Sequence, residues 1–471
     1  MITLVIVAVL LLGFVLLGTS HLTNINKAAI AMFMCTVGWV FYICYGTDFV
    51  MAQHAGEYME FLDSGQPSSK AVKFFIYDEI FLKYVGKAAG IVMFLLATMS
   101  IIEILNNNGC FDFITEWIRT RSTKKLLWTI TFATFIISAN LDNLTTTATM
   151  LVIMHGIVQN RRQRMIIGCA IVLAANAGGC FTVIGDPTGV ALWEGGAVSA
   201  SNFSAYLALP ALLAWVIPTL LMGRELPARL DVAWPTSPYR GDDTNLNRWQ
   251  RLVMLLVGIG GLWFIPTFHN ITKLSPFLGA LCVLSLLWMI NEIFNRKLNN
   301  VDLMIQRRLP RALQYESHQM ILFVMGIVLA MGVVTETGAF RTFAHLVDHF
   351  IHNIWIVGTL AGLVSGIVDN FTVAMSGISM YPVAQLSDTL TSADPAYRLN
   401  FIENGAFWKL LAYTSGVGGC LFCFSSMSGV AMMKMERMRV GWYFRNITPK
   451  IFIGWITGLL VLWAEISIIG Q

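Results

Sequence analysis

Charge is scarce in this sequence. Asp, Glu, Lys and Arg make up 12% of its 471 residues, whereas a soluble domain carries roughly 25%. Hydrophobic residues make up 56%. Apolar runs recur along the whole chain, and each holds the roughly 20 residues that a helix needs to cross a bilayer. The composition excludes a soluble domain and predicts a multi-pass integral membrane protein.

Several chemical signatures are also missing. The sequence has no cluster of histidines and no Walker-type glycine loop, so nothing supports a metal centre or an ATP-driven pump. It has no convincing pair of nucleophile and base, which argues against an enzyme. Most of the eight cysteines lie inside apolar runs, where a free thiol acts as a small packing residue. We expect neither a cofactor nor a nucleic-acid partner.

Ten apolar segments are long enough to be full spans. They run approximately over 2–18, 27–47, 88–106, 164–200, 203–222, 249–268, 275–294, 317–338, 400–434 and 449–468. The segments 164–200 and 400–434 are rich in glycine and much longer than the roughly 20 residues that a crossing requires. We predict that each of these two spans is a helix broken near its middle.

Two further apolar segments, 126–158 and 352–386, have polar centres. The first lies between the basic stretches RTRSTKK (119–125) and NRRQR (160–164). Lys and Arg accumulate in cytoplasmic loops, so both ends of this segment belong on one side of the membrane. We predict a re-entrant hairpin with its tip at NLDNLTTT (140–147), and a second hairpin at 352–386.

The same rule orients the chain. With hairpins that do not cross, most Lys and Arg residues, including Lys27, fall in loops on one side, which is therefore cytoplasmic. Both termini are then predicted on the periplasmic side. The segment 48–87 becomes an external loop, and 224–248 becomes a cytoplasmic linker.

The two halves of the chain echo each other. LDNLTTTATM (141–150) resembles VDNFTVAMSG (368–377), and AGGCFTVIGDPTGV (177–190) resembles VGGCLFCFSSMSGV (417–430). Each half, 1–223 and 249–471, holds three spans, a hairpin, a broken span and a final span. Five crossings per half turn the second copy upside down in the membrane. The predicted fold is all-α, with two inverted-topology repeats, about ten transmembrane helices, two re-entrant hairpins and two broken helices.

Three aspartates are the main candidates for function. Asp142 and Asp369 lie at the predicted hairpin tips, where an ionisable group costs at least about 2.5–3.5 kcal/mol and is functional by default. The alternative is that each is only an N-cap. Asp186 lies in IGDPTG, the first helix break, where freed carbonyls are hard ligands suited to Na⁺ and Asn176 and Thr188 add oxygens. A plain turn is the alternative there.

The second break differs in charge from the first. It carries Ser425, Ser426 and Ser428 but no carboxylate, and Ser426 takes the place of Asp186. Asp186 is therefore a candidate for an unpaired proton carrier. Glu103, late in the third span, is a candidate proton relay, and the alternative is a carboxylate that reaches the cytoplasmic interface.

These carboxylates favour cation exchange. Ionised carboxylates with neutral oxygens bind a hard monovalent cation, and protonation releases it. Asp142, Asp186 and Asp369 are therefore the predicted Na⁺ ligands. A Na⁺-coupled dicarboxylate symporter would instead present half-helix N-termini and few acidic groups to its anion. An arsenite efflux carrier would need accessible thiols, for which Cys180 and Cys420 are candidates.

At these motifs the sequence resembles NhaD-type sodium/proton antiporters, of the ion transporter superfamily that includes dicarboxylate and arsenite carriers. The resemblance rests on NLDNLTTT, NAGGCFTVIGDPTGVALW, GIVDNFTVAMSGISMY and SGVGGCLFCFSSMSGVAMMKME. It implies exchange of Na⁺, and of Li⁺, for H⁺ in a bacterial inner membrane by a homodimer with a moving transport domain. The positions that it implies for ion binding are Asp142, Asn143, Asn176, Asp186, Thr188, Asn370, Ser425 and Ser428.

Overall fold

A computed structural model describes residues 2–62, 67–111, 113, 120, 122–229, 246–295, 311–390 and 394–469. Within these ranges the chain is helical, and its β-pairing is limited to the isolated bridges Ser122–Arg229 and Ala384–Ile402. Most of the linker expected at 224–248 lies outside the described residues. The all-α fold class is confirmed.

Eight helices in the described part of the chain are long and apolar enough to cross a membrane. They are Lys27–Cys44, Ser69–Asn107, Arg161–Phe181, Ala200–Gly223, Arg248–Thr272, Pro276–Phe294, His318–Glu336 and Thr448–Ile468. The shorter apolar helix Ile2–Gly18 and the second of two broken spans complete the set of about ten. Shorter helices connect them at Ser20–Thr23, Gly46–Gln53, Ala55–Leu62, Ala339–Phe350, Leu386–Leu390, Pro395–Arg398 and Val440–Asn446.

The expected external loop at 48–87 is mostly helical, so that prediction was wrong. The third span begins at Ser69, 19 residues before its expected start at 88, and passes through a wide π-helical stretch, Ile76–Phe81, before reaching Asn107. Charged residues are scattered along 48–87, so its amphipathic helical pattern was interpreted as a loop. Val72 and Ile76 are buried, and both side chains lie against Gly46.

Both predicted hairpins are present. The first consists of Thr123–Ser138 and Asn143–Ile157. The second consists of Ile354–Ser365 and Asn370–Met380. In each hairpin the second helix begins at an Asn that follows an aspartate N-cap, so the polar centres of the two apolar segments are the tips.

Both broken spans are present as well. The first broken span is Arg161–Phe181, an irregular stretch over 182–186, and Pro187–Glu194. The second broken span is Ala406–Gly418, an irregular stretch over 419–426, and Met427–Glu436. Proline and glycine in the first break prevent a continuous helix, because proline lacks an N–H and glycine has no helical preference.

The contacts of one half recur in the other. Each hairpin packs against the first helix of its own broken span, and Lys27–Cys44 packs against His318–Glu336 just as Pro276–Phe294 packs against Leu82–Asn107. Two equivalent hydrogen bonds fasten the hairpins. Ser138 donates to the Ala175 carbonyl at 2.7 Å, and Ser365 donates to the Ser415 carbonyl at 2.8 Å.

The two hairpins enter from opposite ends of the molecule. The base of the first lies at Glu436, where His155 forms a 3.0 Å contact. The base of the second lies near Glu194, with which Met380 shares a cavity. Glu194 and Arg161 are the opposite ends of one broken span. The repeats therefore have inverted topology, and the hairpin tips meet the breaks between the two ends.

The hairpins and the broken spans pack with their main chains in close contact. Gly178 provides a test of this packing. A Cβ on Gly178 would lie 2.3 Å from the Phe135 carbonyl oxygen of the first hairpin. We expect Gly178→Ala to destabilise the fold by about 1–3 kcal/mol through overpacking. A lower melting temperature of the purified protein in detergent is the measurement.

The matched control is Gly86→Ala. Gly86 is exposed, and nothing lies within 4 Å of a Cβ there, so its melting temperature should hold or rise because alanine favours a helix over glycine by about 1 kcal/mol. Equal melting temperatures for the two variants would contradict the proposed packing.

Candidate functional site

Asp142 caps the second helix of the first hairpin and is 2% exposed. Its Oδ2 accepts hydrogen bonds from the Thr145 N–H at 2.9 Å and the Thr145 hydroxyl at 3.0 Å. Its Oδ1 is buried and accepts no hydrogen bond from any described residue. The capping role that was the alternative is therefore real, but it occupies only one of the two carboxylate oxygens.

Asp369 has the same role in the second hairpin and is 1% exposed. Its Oδ2 accepts from the Phe371 N–H at 3.1 Å and the Thr372 N–H at 3.4 Å. Its Oδ1 faces a different partner, the Lys27 ammonium, 4.0 Å away. The two tips thus share a geometry and differ in what lies opposite the second carboxylate oxygen.

Asp186 joins the two halves. The Asn143 amide of the first tip donates to its Oδ1 at 3.3 Å, and the Asn370 amide of the second tip donates to its Oδ2 at 2.8 Å. Asp142 and Asp369 lie near enough to interact with Asp186 electrostatically. One buried carboxylate of the first break therefore holds both hairpin tips, and three carboxylates share a small volume.

The remaining candidates of the first half surround this carboxylate. The Asn176 amide donates to the Val172 carbonyl at 2.9 Å, and its Oδ1 accepts from Asn143 at 3.3 Å. Thr188 is 2% exposed and lies beside Asp186. Asn143, Asn176, Asp186 and Thr188 are therefore neighbours in space.

Two of the three serines of the second break form hydrogen bonds with the main chain. Ser426, the counterpart of Asp186, accepts from the Gly429 N–H at 3.1 Å as an N-cap. The Ser425 hydroxyl donates to the Ser365 carbonyl. Ser428 is 1% exposed, and its hydroxyl has no hydrogen-bond partner among the described residues.

Glu103 lies apart from the cluster. It is half-buried one turn before the end of Leu82–Asn107. Among the described residues, no hydrogen bond or ion pair joins it to the hairpin tips. A role as a proton relay stays a prediction.

Lys27 also belongs to this site, although no sequence pattern indicated it. It was assigned to a cytoplasmic loop, but its side chain is 6% exposed, and its ammonium donates to the Phe424 carbonyl at 3.0 Å and to the Ser425 carbonyl. A lone lysine at the start of an apolar run resembles an interfacial residue. Only the tertiary structure, which packs the second break against Lys27, shows that the ammonium contacts the Phe424 and Ser425 carbonyls.

The cysteines of the breaks face the protein interior. The Cys180 thiol donates to the Ala412 carbonyl at 3.5 Å, and the Cys420 thiol donates to the Val172 carbonyl at 3.9 Å. Cys420 and Cys423 have C-x-x-C spacing, yet both thiols are buried and free. The Cys180 and Cys420 thiols therefore each contact the opposite broken span.

Inverted repeats with broken helices, and buried carboxylates where hairpin tips meet the breaks, define a secondary transporter rather than an enzyme. The family model described as "Citrate transporter" (CitMHS) matches residues 1–400. The chain belongs to this family, and it is an NhaD-type member of the ion transporter superfamily.

Named relatives agree with this assignment. The chain is 32% identical over 381 residues to sodium/proton antiporter 2 of Arabidopsis thaliana, covering 80% of this chain and 86% of the relative. It is 26% identical over 393 residues to the Na⁺/H⁺ antiporter NhaD of Vibrio parahaemolyticus, covering 78% and 88%.

A solved structure has the same fold. The Alcanivorax borkumensis YdaH transporter superposes with a TM-score of 0.56 at 12% sequence identity, covering 86% of this chain and 90% of that one. At this identity the likeness concerns the fold alone.

The bridge between Asn370 and Asp186 predicts a stability effect. Asn370→Ala removes a hydrogen bond to a carboxylate, which is worth about 1.5–3 kcal/mol. We expect a lower melting temperature in detergent. Asn270→Ala, at an exposed helix end, is the matched control and should change little. A melting temperature of Asn370→Ala equal to that of the wild type would exclude the bridge.

Proposed function

We propose that this chain exchanges Na⁺ for H⁺ across a membrane, with both ions competing for the carboxylates between the hairpin tips. The observation that carries the proposal is the buried Asp142 Oδ1, which accepts no hydrogen bond from a described residue. A buried polar atom without a partner costs free energy, and a carboxylate oxygen is relieved by a cation or by its own proton.

Sodium fits the chemistry around Asp142. The carbonyls of Leu141, Ile184 and Gly185 belong to the irregular tip and break, and no hydrogen bond between described residues ends on them. Main-chain carbonyls and carboxylates are hard oxygen ligands, which suit hard cations. The nearby oxygens of Asn176 and Thr188 extend the same donor set. We propose this first-half cluster as the Na⁺ site.

Protons compete because carboxylates crowd the site. Asp142, Asp186 and Asp369 are all buried, and like charges in such a volume repel one another. When Na⁺ leaves, an ionised Asp142 has no compensating charge, so we expect it or Asp186 to take up a proton. Na⁺ and H⁺ therefore exclude each other, and their fluxes run in opposite directions.

Two cavities support alternating access. One of about 380 Å³ lies at the Glu194 end and is lined by Tyr84 and Met375 among others. The other, of about 370 Å³, is lined by Lys27, Leu144 and Lys434 among others. They approach the tips from opposite ends, as an exchanger that opens to each side in turn requires. In this scheme Asn370 holds Asp186 and Ser425 fastens the second break, while the Ser428 hydroxyl, unpartnered among the described residues, is a further oxygen ligand.

The cellular setting is also a proposal. We place the chain in a bacterial inner membrane with both termini on the periplasmic side, since basic residues gather in loops on the opposite side. We propose a homodimer, and Li⁺ as a second transported ion because it carries the same charge on a smaller, equally hard ion.

The proposal predicts the behaviour of carboxylate variants. In everted vesicles with an imposed pH gradient, Na⁺ addition should dissipate the gradient with the wild type. For Asp142→Asn and Asp186→Asn we expect at least a tenfold loss, because each lost factor of ten in ion binding corresponds to only about 1.4 kcal/mol. Asp369→Asn should also impair exchange, because it leaves the buried Lys27 ammonium unbalanced.

Asp48→Asn is the matched control, since Asp48 is exposed on a short connecting helix, and it should retain exchange. Equal levels of each variant in the membrane must be verified by immunoblot. Full Na⁺-dependent activity in Asp142→Asn and Asp186→Asn would exclude the carboxylate site.

The family description keeps a citrate-type anion symporter as the second candidate. Asp142 and Asp186, which form no ion pair with a described Lys or Arg, would repel such a polyanion. We therefore expect no Na⁺-dependent uptake of radiolabelled citrate into proteoliposomes that perform Na⁺/H⁺ exchange. Empty liposomes are the control. Citrate accumulation driven by a Na⁺ gradient would favour the symporter instead.

A further inference from the structure

Lys27 occupies a cage made of oxygen atoms in the second half. Its ammonium donates to the carbonyls of Phe424 and Ser425 in the second break, and to the Val368 carbonyl at the second tip, 3.5 Å away. The Asp369 Oδ1 completes the cage at 4.0 Å. Three main-chain carbonyls and one carboxylate oxygen thus surround a single positive charge.

The first half has residues at the positions that supply the oxygens of this cage. By the repeat alignment, Val368 and Asp369 correspond to Leu141 and Asp142, and Phe424 and Ser425 correspond to Ile184 and Gly185. Equivalent packing supports the match. The closest neighbours of a Cβ on Gly179 include Asn143, and those of a Cβ on Gly419 include Asn370. The alignment and these two contacts therefore support an equivalent framework at the first tip.

The two cages differ in their positive charge. In the first, Asp142 Oδ1 has no hydrogen-bond partner, and no described Lys or Arg forms an ion pair with Asp142. The helix that corresponds to Lys27–Cys44 is Pro276–Phe294, which begins with proline instead of lysine. Of the two cages, only the second contains a cationic side chain among the described residues, that of Lys27.

We infer that the Lys27 ammonium is a tethered cation that fills the second cage permanently, so that each chain binds one exchangeable Na⁺, at Asp142, instead of two. This inference rests on the proposed function and assigns the two halves different roles. The first cage exchanges Na⁺ for H⁺. The second keeps its charge balance through a covalently attached ammonium and stays fixed through the cycle.

The chemistry of the cage explains why an ammonium suits it. An ionised carboxylate away from water needs a counter-charge, and an ammonium supplies that charge with three N–H donors for the surrounding carbonyls. An exchangeable Na⁺ would satisfy the same oxygens but would leave at each cycle. The Lys27 ammonium takes the place of that Na⁺. The number of transported ions falls by one, while the surrounding main chain keeps its arrangement.

Lys27→Met is the direct test, because it removes the ammonium and keeps a side chain of similar length. We expect equilibrium binding of ²²Na⁺ to the purified protein to rise from one to two Na⁺ per chain. The plateau of the binding isotherm, which counts sites whether or not they are coupled, is the quantity that decides. Lys124→Met, at an exposed residue at the base of the first hairpin, is the matched control and should bind one Na⁺.

A second variant guards against misfolding. In Lys27→Met the Asp369 carboxylate loses its partner, so Lys27→Met/Asp369→Asn removes both charges and should fold and bind one Na⁺ at Asp142. If Lys27→Met is folded only in Na⁺ and not in choline, while the double variant is folded in both, the inference is supported. A double variant that binds no Na⁺ overturns it, because Asp369 would then belong to the exchangeable site.

The outcomes separate this inference from the proposed function. A wild type that binds no Na⁺ and shows no exchange removes the proposed function itself. A wild type that exchanges Na⁺ but binds two ions per chain, or a folded Lys27→Met that still binds one, overturns the tethered cation and leaves the exchanger intact.

Discussion

Main chain without regular structure must satisfy its hydrogen bonds inside the protein when it lies in a membrane, because hydrocarbon provides no partners. This chain has four such stretches, at two hairpin tips and two helix breaks, and brings them together. Ser138 and Ser365 fasten the hairpins to the broken spans, while Asp142 and Asp369 cap the helices that leave the tips. Among the described residues, Asp142 Oδ1 is a buried oxygen that this arrangement leaves without a hydrogen bond.

The approach of these stretches depends on residues without a side chain. Gly178 faces the Phe135 carbonyl, and Gly418 faces the Gly362 carbonyl, with no room for a Cβ at either position. Helices in membranes associate through such small residues, because lipid tails provide no hydrophobic drive between helices. The contact distance at the glycines thus sets where the tip carboxylates lie relative to the breaks.

Two copies of one framework have acquired different chemistry. Asp186 links both tips through Asn143 and Asn370, whereas its counterpart Ser426 only caps a helix. Lys27 enters the second cage from a helix outside the hairpin and the broken span. The repeat accounts for the shared geometry, and substitutions such as Ser426 at the position of Asp186 account for the difference in charge.

The sequence by itself determined the membrane class, the repeat, the hairpins and the broken spans, because span length, basic flanks and Gly/Pro breaks are properties of neighbouring residues. It also identified Asp142, Asp186 and Asp369 as unusual, since each is a charge in an apolar setting. It misjudged 48–87, where amphipathic helix and charged loop look alike along the chain. Only the tertiary structure decided that Asn370 reaches Asp186 and that Lys27 reaches Ser425, across 184 and 398 residues. Such contacts depend on how whole helices pack, and no local pattern of residues encodes them.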